Sequence, residues 1–300
     1  MKIKIATRKS ELALFQANYV AEKLNQLEGI TTELVPLLSE GDQTDKPLHE
    51  IGGKGLFVNK LESALILGDA DIAVHSLKDV PAILDSKFKI ASIFQRGSAS
   101  DILLSREGWS LDTLPINSVI GTSSPRRKSQ ILNSRSDLKT IPVRGNIATR
   151  IEKLNLGTFD GLIVAKAALN RLNLQLPNAY EFTLDEMLPA ASQGFIAVEC
   201  IKLNTEILNI LAQINDETAL LLAEAERSFV AKLNGSCLSP IAIYCFEDKE
   251  IIHVIAKVLS QDGQKKIYKK IESCKSHLKE DISVLADNFI AQGSHSMILQ

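Results

Sequence analysis

The residues best suited to chemistry in this chain are arginines and hydroxyl side chains placed where a strand-like run gives way to a helix-like one. Thr7-Arg8-Lys9-Ser10 is the first such turn. Gly121-Thr122-Ser123-Ser124-Pro125-Arg126-Arg127 is the second, with Ser124 suited to the N-cap and Pro125 to the first helical position. Arg144-Gly145-Asn146, leading to Thr149 and Arg150, is the third. Backbone N–H groups and the helix dipole favour anions at such turns. Arginine adds a planar fork that grips a carboxylate through two parallel hydrogen bonds, fixing orientation as well as charge. Open α/β sheets bind ligands outside the carboxyl ends of their strands, so repetition at successive strand ends predicts an anion-binding site. None of these turns is a nucleotide fingerprint, and Gly52-Gly53-Lys54-Gly55 has glycine where a phosphate loop needs Ser or Thr after the lysine.

Two further motifs can carry chemistry. In His75-Ser76-Leu77-Lys78-Asp79-Val80-Pro81 the proline ends any regular element, which leaves Lys78 and Asp79 in a loop after a buried strand. There the lysine can hold a carboxylate and the aspartate can face a developing positive charge; an ordinary solvated pair is the other reading. Cys237 lies in Asn234-Gly235-Ser236-Cys237-Leu238-Ser239-Pro240, with turn formers before it and a proline after it, which suits a presented thiol. Cys200 and Cys245 stand in apolar runs and read as small buried hydrophobes. None of His49, His75, His253, His277 and His295 is motif-placed as a general base for Cys237, which argues against a cysteine hydrolase. No His/Cys spacing suggests zinc, and no metal is expected.

The elements that must position these residues follow from periodicity. Over the first two-thirds, strand-like segments at 2–6, 32–38, 71–75, 118–121, 140–143 and 161–165 alternate with helix-like ones at 12–27, 56–67, 125–134 and 147–154. That βαβ rhythm predicts open, mostly parallel sheets with helices on both faces. Two small-residue stretches, 95–101 (QRGSASD) and 188–194 (LPAASQG), read as crossovers between two α/β lobes that share a double hinge and a ligand cleft. From about Asn215 the rhythm changes to a helix at 217–233, strands at 241–245, 251–259 and 265–271, and a helix at 276–291. That order predicts a small C-terminal α+β domain with an antiparallel sheet. The expected domains are therefore 1–95 with 194–214, then 96–193, then 215–300.

Bulk properties bound the function. The 300 residues are 45% hydrophobic and 23% charged, enough for more than one sizeable core. A formal net charge of -2 and only 5% aromatic residues argue against a nucleic-acid binder, even with the basic 126–150 region. No run approaches the roughly 18 consecutive apolar residues of a membrane span, and the N-terminal residues lack a signal-peptide core. Four scattered cysteines without a CxxC pair fit a reducing compartment, so a cytoplasmic location is expected. The chemistry so far leaves two classes open: an enzyme, or a two-lobed receptor for a small anion. The missing export signal and the additional cysteine-bearing domain favour the enzyme.

The motifs taken together narrow this. IATRKSxLAL, GGKGLF, DIAVHSLKDVP, GTSSxRR, VRGNxxTR and GxCxxPI occur in an order and spacing that resemble the porphobilinogen deaminases over essentially the whole chain. The resemblance implies two α/β lobes like those of class II periplasmic binding proteins, plus a third domain bearing a cofactor cysteine. It implies a dipyrromethane cofactor in thioether linkage to Cys237. On it four porphobilinogens are joined head to tail with loss of ammonia, and hydrolysis releases hydroxymethylbilane: a transferase of tetrapyrrole and haem biosynthesis, acting as a monomer. Arg8, Ser10, Lys78, Ser123, Ser124 and Arg126 would then hold acetate and propionate groups, joined by Arg127, Arg144, Gly145, Arg150, Arg171 and Gln193. Asp79 would hydrogen-bond pyrrole nitrogens and stabilise the azafulvenium cation left by ammonia. Lys54 and Phe57 would belong to a lid. The chain departs from the family pattern at Ser236, Leu238-Ser239, Pro125 and Ala191-Ser192, next to the cofactor loop, the second arginine turn and the hinge.

Overall fold

A computed structural model describes residues 1–38 and 58–298. In chain order, β1 (Lys2–Arg8), α1 (Glu11–Asn25), β2 (Thr31–Leu37), α2 (Asn59–Leu67), β3 (Ile72–Ser76) and β4 (Phe88–Ile93) come first. Then follow β5 (Asp101–Ser105), β6 (Val119–Gly121), α3 (Pro125–Ser134), β7 (Lys139–Ile141), α4 (Ile147–Asn155), β8 (Gly161–Ala165), α5 (Lys166–Arg171) and β9 (Ala179–Glu181). The chain continues through β10 (Ile196–Ile201), α6 (Thr205–Ala212), α7 (Glu217–Lys232), β11 (Ile241–Asp248), β12 (Ile251–Leu259) and β13 (Lys266–Ser273). It ends with α8 (Leu278–Ala291) and α9 (Ser294–Ile298).

These elements group into two compact units, Met1–Gly97 with Gly194–Leu221, and Ser98–Gln193 with Leu222–Gln300. The first holds a five-stranded sheet ordered β2-β1-β3-β10-β4. Its strands earn their place by alternation: Ile3, Ile5, Ile72, Val74 and Val198 project into one core with Ala17, Val20 and Leu24 of α1. Ala6 and Ala73 face a second core with Leu61 and Leu65 of α2. Both faces of the sheet are thus covered, which is why 72–75 is buried at every position.

The second unit holds a five-stranded sheet ordered β7-β6-β8-β5-β9 and a separate antiparallel sheet β11-β12-β13. In β5 Leu103 enters one core with Ile120, Ile131 and Ile163, while Ile102 and Leu104 enter the opposite one with Val143, Phe159 and Val164. The antiparallel sheet pairs Tyr244 with Ile255 and Ile255 with Lys270, in the α+β arrangement expected of the C-terminal segment.

The α/β class expected from the βαβ rhythm is the one that forms. Parallel pairing runs through β2-β1-β3 and β7-β6-β8, the strands that carry the arginine and Lys-Asp turns. On the other side of each sheet, β10 and β5 pair antiparallel with both neighbours. Each of these two strands follows a crossover of the chain between the units, at Gln193/Gly194 and Gly97/Ser98. The two sheets share one strand order although no repeat is visible in the sequence.

Candidate functional site

In the first unit, the parallel register Ile5↔Ile72 and Ala6↔Ala73 sets the carboxyl ends of β1 and β3 side by side. Arg8 ends β1, half-buried, and Ser10 caps α1 by accepting from the Ala13 N–H at 3.4 Å. Buried Thr7 donates through Oγ1 to the Ala13 carbonyl at 3.1 Å, fastening the turn between them. From β3 the chain enters a single 3-10 turn, Leu77–Asp79. Leu77 is fully buried and its N–H donates to the Phe195 carbonyl at 3.1 Å, so the turn is anchored at its apolar residue. That anchoring leaves Lys78 half-buried and the Asp79 carboxylate exposed. Gln16 of α1 donates to Ser76 Oγ at 2.7 Å, a direct link between α1 and the end of β3.

In the second unit, Ser124 caps α3 by accepting from the Arg127 N–H at 3.4 Å, and Pro125 occupies the first helical turn. Pro125, a departure from the family pattern, therefore suits its place, since its fixed φ and missing N–H cost nothing there. Asn146 caps α4, accepting from the Thr149 N–H at 2.9 Å. Ser123 joins the two turns, donating to the Val143 carbonyl at 2.8 Å and accepting from its N–H at 2.9 Å. Gly145 has φ +108°, and a Cβ there would meet Thr149 Cγ2 at 2.9 Å, so both backbone and space call for glycine. Its carbonyl accepts from Arg150 Nε at 2.8 Å, and Lys153 Nζ donates to the Arg144 carbonyl at 3.2 Å. Arg144 and Arg150 are half-buried, as is Arg171 at the end of α5.

Arg126 and Arg127 are not on an open rim: they are 4% and 8% exposed. Both turn inward because Asp101, fully buried at the start of β5, lies under the helix. Arg126 Nη2 donates to Asp101 Oδ2 at 2.7 Å, while Arg127 Nη2 and Nε reach Oδ1 at 2.7 and 3.1 Å. Buried Gln193 donates to Oδ1 at 3.0 Å and to the Ala99 carbonyl at 2.6 Å. Arg126 Nη1 goes on to the Leu188 carbonyl at 2.7 Å, and Arg127 Nη1 to the Ile163 carbonyl at 2.8 Å. Burial pulls the Arg126 guanidinium below the ordinary arginine range, a pull that the Asp101 charge opposes. Arg126 Nε is buried with no hydrogen-bond partner among the described residues.

Cys237 is exposed on the loop after α7, and Gly235 makes that loop compact. A Cβ on Gly235 would lie 2.4 Å from Ile241 Cδ1 and 3.2 Å from the Val230 carbonyl oxygen. The next four residues bond among themselves. The Ser236 N–H donates to Ser239 Oγ at 3.0 Å, the Ser239 N–H to the Ser236 carbonyl at 3.0 Å, and the Leu238 N–H to Ser236 Oγ at 3.2 Å. The two serines that depart from the family pattern are thus the ones that close the turn around the cysteine. Cys200 and Cys245 are buried, in line with their apolar surroundings. Burial, then the Glu199 charge beside it, pushes the Cys200 thiol up to about 11.

Three acidic residues escaped the sequence reading. Asp101 organises the arginine pair. Glu199 meets His75 Nε2 at 2.9 Å inside the first unit. Glu226, fully buried on α7, accepts from the Ser192 and Cys245 N–H groups at 2.5 and 2.7 Å. Asp101 heads an apolar run (DILLS), Glu199 stands inside one (IAVEC), and Glu226 follows Glu224 in LLLAEAERSF; a buried charge must find partners. Lys54 and Phe57 lie outside the described residues. Among the described residues no group of three or more His, Cys, Asp or Glu could hold a metal ion.

Residues 3–209 match the family model described as porphobilinogen deaminase, dipyromethane cofactor binding domain. Residues 220–285 match the porphobilinogen deaminase C-terminal domain. Similar curated proteins include the porphobilinogen deaminases of Campylobacter hominis, 41% identical over 99% of this chain and 97% of the relative, and of Campylobacter jejuni subsp. jejuni, 41% identical over 99% and 98%. Among solved structures, the Bordetella pertussis BvgS VFT2 domain aligns with TM-score 0.46 and 14% identity, over 76% of this chain and 90% of that one. The substrate-binding protein AbpA of Streptococcus pneumoniae aligns with TM-score 0.43 and 13% identity, over 76% and 91%. With both family models matched in order and relatives aligned almost end to end, the chain belongs to the porphobilinogen deaminase family.

Proposed function

We propose that this protein is the transferase that condenses four porphobilinogen molecules, with loss of ammonia, on a primer tethered to Cys237, and releases hydroxymethylbilane by hydrolysis. The observation that carries this reading is the exposed Cys237 on a loop that its own serines hold in shape. The donor set fits a tethered polycarboxylate: two buried guanidiniums share one carboxylate, and one buried guanidinium nitrogen, Arg126 Nε, has no partner among the described residues. When bound, the dipyrromethane would supply the terminal pyrrole carbon to which the first new ring is joined, each later ring joining the one before it.

The chain's own residues divide the remaining work. Cys237 holds the primer through a thioether. Arg126, Arg127, Arg144 and Arg150, with Ser123, Ser124 and Gly145, bind acetate and propionate groups through charge-assisted bonds. Arg8, Ser10 and Lys78 do the same from the ends of β1 and β3, and Arg171 and Gln193 complete the set. Asp79 accepts from pyrrole N–H groups and offsets the positive charge that develops as ammonia leaves, a preorganised electrostatic role.

Three domains, 1–95 with 194–214, 96–193 and 215–300, suit this division, the first two as lobes of the class II periplasmic-binding type. The separate sheet β11-β12-β13 supports a distinct third domain. We further propose a cytoplasmic monomer that needs no nucleic acid. Its net charge of -2 supports the last point, and no described helix is long and apolar enough to cross a membrane. The test of the whole reading is purification from cells that make porphobilinogen, followed by a turnover assay with that substrate. Consumption of porphobilinogen with release of ammonia and a linear tetrapyrrole is expected; an inert protein refutes it.

A further inference from the structure

The antiparallel sheet sends one buried lysine toward the segment that holds Arg126. Register sets Lys257 of β12 opposite Tyr268 of β13, and its ammonium lies 5.6 Å from the tyrosine ring centroid. Lys257 is only 6% exposed, which is rare for lysine and costly unless the charge finds partners. Its Nζ donates to the Asp185 carbonyl at 3.2 Å, and the Asp185 carboxylate pairs with Lys270 at 3.2 Å. Three residues on, the Leu188 carbonyl accepts from Arg126 Nη1 at 2.7 Å and from Gln130 Nε2 at 2.9 Å. The Leu188 N–H returns to Gln130 Oε1 at 2.9 Å, and its side chain packs with Ala242 and Ile255 of the same antiparallel sheet.

We infer that Lys257 is a positioning residue for Arg126: by tying the 185–188 segment to β12 it fixes the carbonyl that orients the guanidinium. One oxygen of Asp101 and the Leu188 carbonyl are the two points that set the plane of Arg126. Loosening the second lets the fork rotate about the first, and a carboxylate is then met in several orientations instead of one. An apolar residue would fill the place of Lys257 at less cost in desolvation, so what the lysine adds is the bond to Asp185. The groups facing its ammonium are Asp185, Lys266, Lys270, Tyr268 and Arg126. Burial first, then the like charges of Lys266, Arg126 and Lys270 against Asp185, pushes the Lys257 amine down to about 8.

The inference rests on Arg126 as a ligand of substrate or primer carboxylates. Its test compares the wild-type holoprotein with Lys257→Met, which keeps an apolar stem, and Lys257→Arg, which keeps donor and charge. Loss of one hydrogen bond to a charged group predicts that Lys257→Met raises the KM for porphobilinogen about tenfold with kcat little changed. The Leu188 amide should exchange with deuterium faster in that variant, and Lys257→Arg should restore both values. A folded Lys257→Met protein with unchanged KM and unchanged Leu188 exchange overturns the inference. Should that variant not fold, the wild-type KM must rise from pH 7 to about pH 9 as loss of the Lys257 proton weakens its charge-assisted bond to the Asp185 carbonyl to a neutral one, while the Lys257→Arg KM stays flatter; identical pH dependence overturns the inference. A wild-type protein that neither carries a pyrrole adduct on Cys237 nor consumes porphobilinogen refutes the functional reading, and this inference with it. An active wild type beside an indifferent Lys257→Met refutes the inference alone.

Discussion

Replacing Asp101 by asparagine should destabilise the second unit out of proportion to the single atom changed. The carboxylate is fully buried and accepts three bonds from Arg126 and Arg127 and one from Gln193. Asparagine keeps the shape but offers one neutral acceptor oxygen, and its amide group turns N–H toward a guanidinium. Breaking a buried ion pair by removing one partner costs about 3–5 kcal/mol. Here two guanidiniums lose the same partner, so the upper end of that range applies; the two losses share a carboxylate and do not simply add. At about 2–4 °C per kcal/mol for a unit of this size, the melting temperature should fall by about 10 °C or more. The control is Asp137→Asn, which breaks the Arg135–Asp137 pair of equal length, 2.7 Å, but at partly exposed side chains. That change should leave the melting temperature close to wild type, because solvent screens the pair. Thermal unfolding of cofactor-free protein, followed by circular dichroism and calorimetry at pH 7.5, gives the comparison. A melting temperature for Asp101→Asn within about 3 °C of wild type, or equal to that of Asp137→Asn, refutes the argument that burial gives this pair its weight.

Other outcomes follow from the same structure. Asp79→Asn should leave the primer attached, as judged by intact mass, while turnover falls by about two orders of magnitude; near-normal rates show that the carboxylate charge is not used. Cys274 accepts from or donates to Ser276 Oγ and His277 Nδ1, both at 3.2 Å, and these bonds bring its thiol down to about 7. Its alkylation by iodoacetamide should therefore rise through pH 7, more than one unit below an ordinary thiol, and shift upward in His277→Ala; an inflection near pH 8.5 in wild type contradicts this. For Lys257, whose amine is lowered by burial to about 8, the unfolded chain binds the proton more tightly than the folded one. Folding stability from this group should rise as pH goes from about 8 toward its unfolded value near 10.4, and Lys257→Met should lose that rise in urea titrations.

Much of this was legible in the sequence because the determining interactions are local. The helix at 125–134 is announced by Ser124 and Pro125, and the strand at 161–165 by an unbroken apolar run; both form with those bounds. Ser124 was recognisable as a cap residue because a cap needs only the next turn of chain, and Ser10 and Asn146 cap α1 and α4 by the same local bond. Residues 196–201 are different. Their place between β3 and β4 depends on pairings such as Ala197 with His75, more than a hundred residues earlier, and no local period encodes them. The common order of the two five-stranded sheets is likewise a property of backbone pairing and leaves no repeat in side chains.

The site divides along the same line. The turns at Arg8–Ser10, Lys78-Asp79 and Arg144–Asn146 occupy strand ends as their sequence suggests. Arg126 and Arg127 were visible as a charged pair at a helix start, but their inward turn depends on Asp101, which is remote in sequence and heads an apolar strand. The bonds of Ser236 and Ser239 show the converse case, in which a local departure from a family pattern supplies its own replacement geometry.

The central claim is that Cys237 anchors a primer, and mass spectrometry of the intact protein and its peptides tests it most directly. Protein purified from cells that make porphobilinogen should carry an adduct of two pyrrole units. Peptide mapping should place it on Cys237, leave Cys200, Cys245 and Cys274 unmodified, and show no adduct in Cys237→Ser. An unmodified, correctly folded wild-type protein, or an adduct on any other cysteine, would contradict the account.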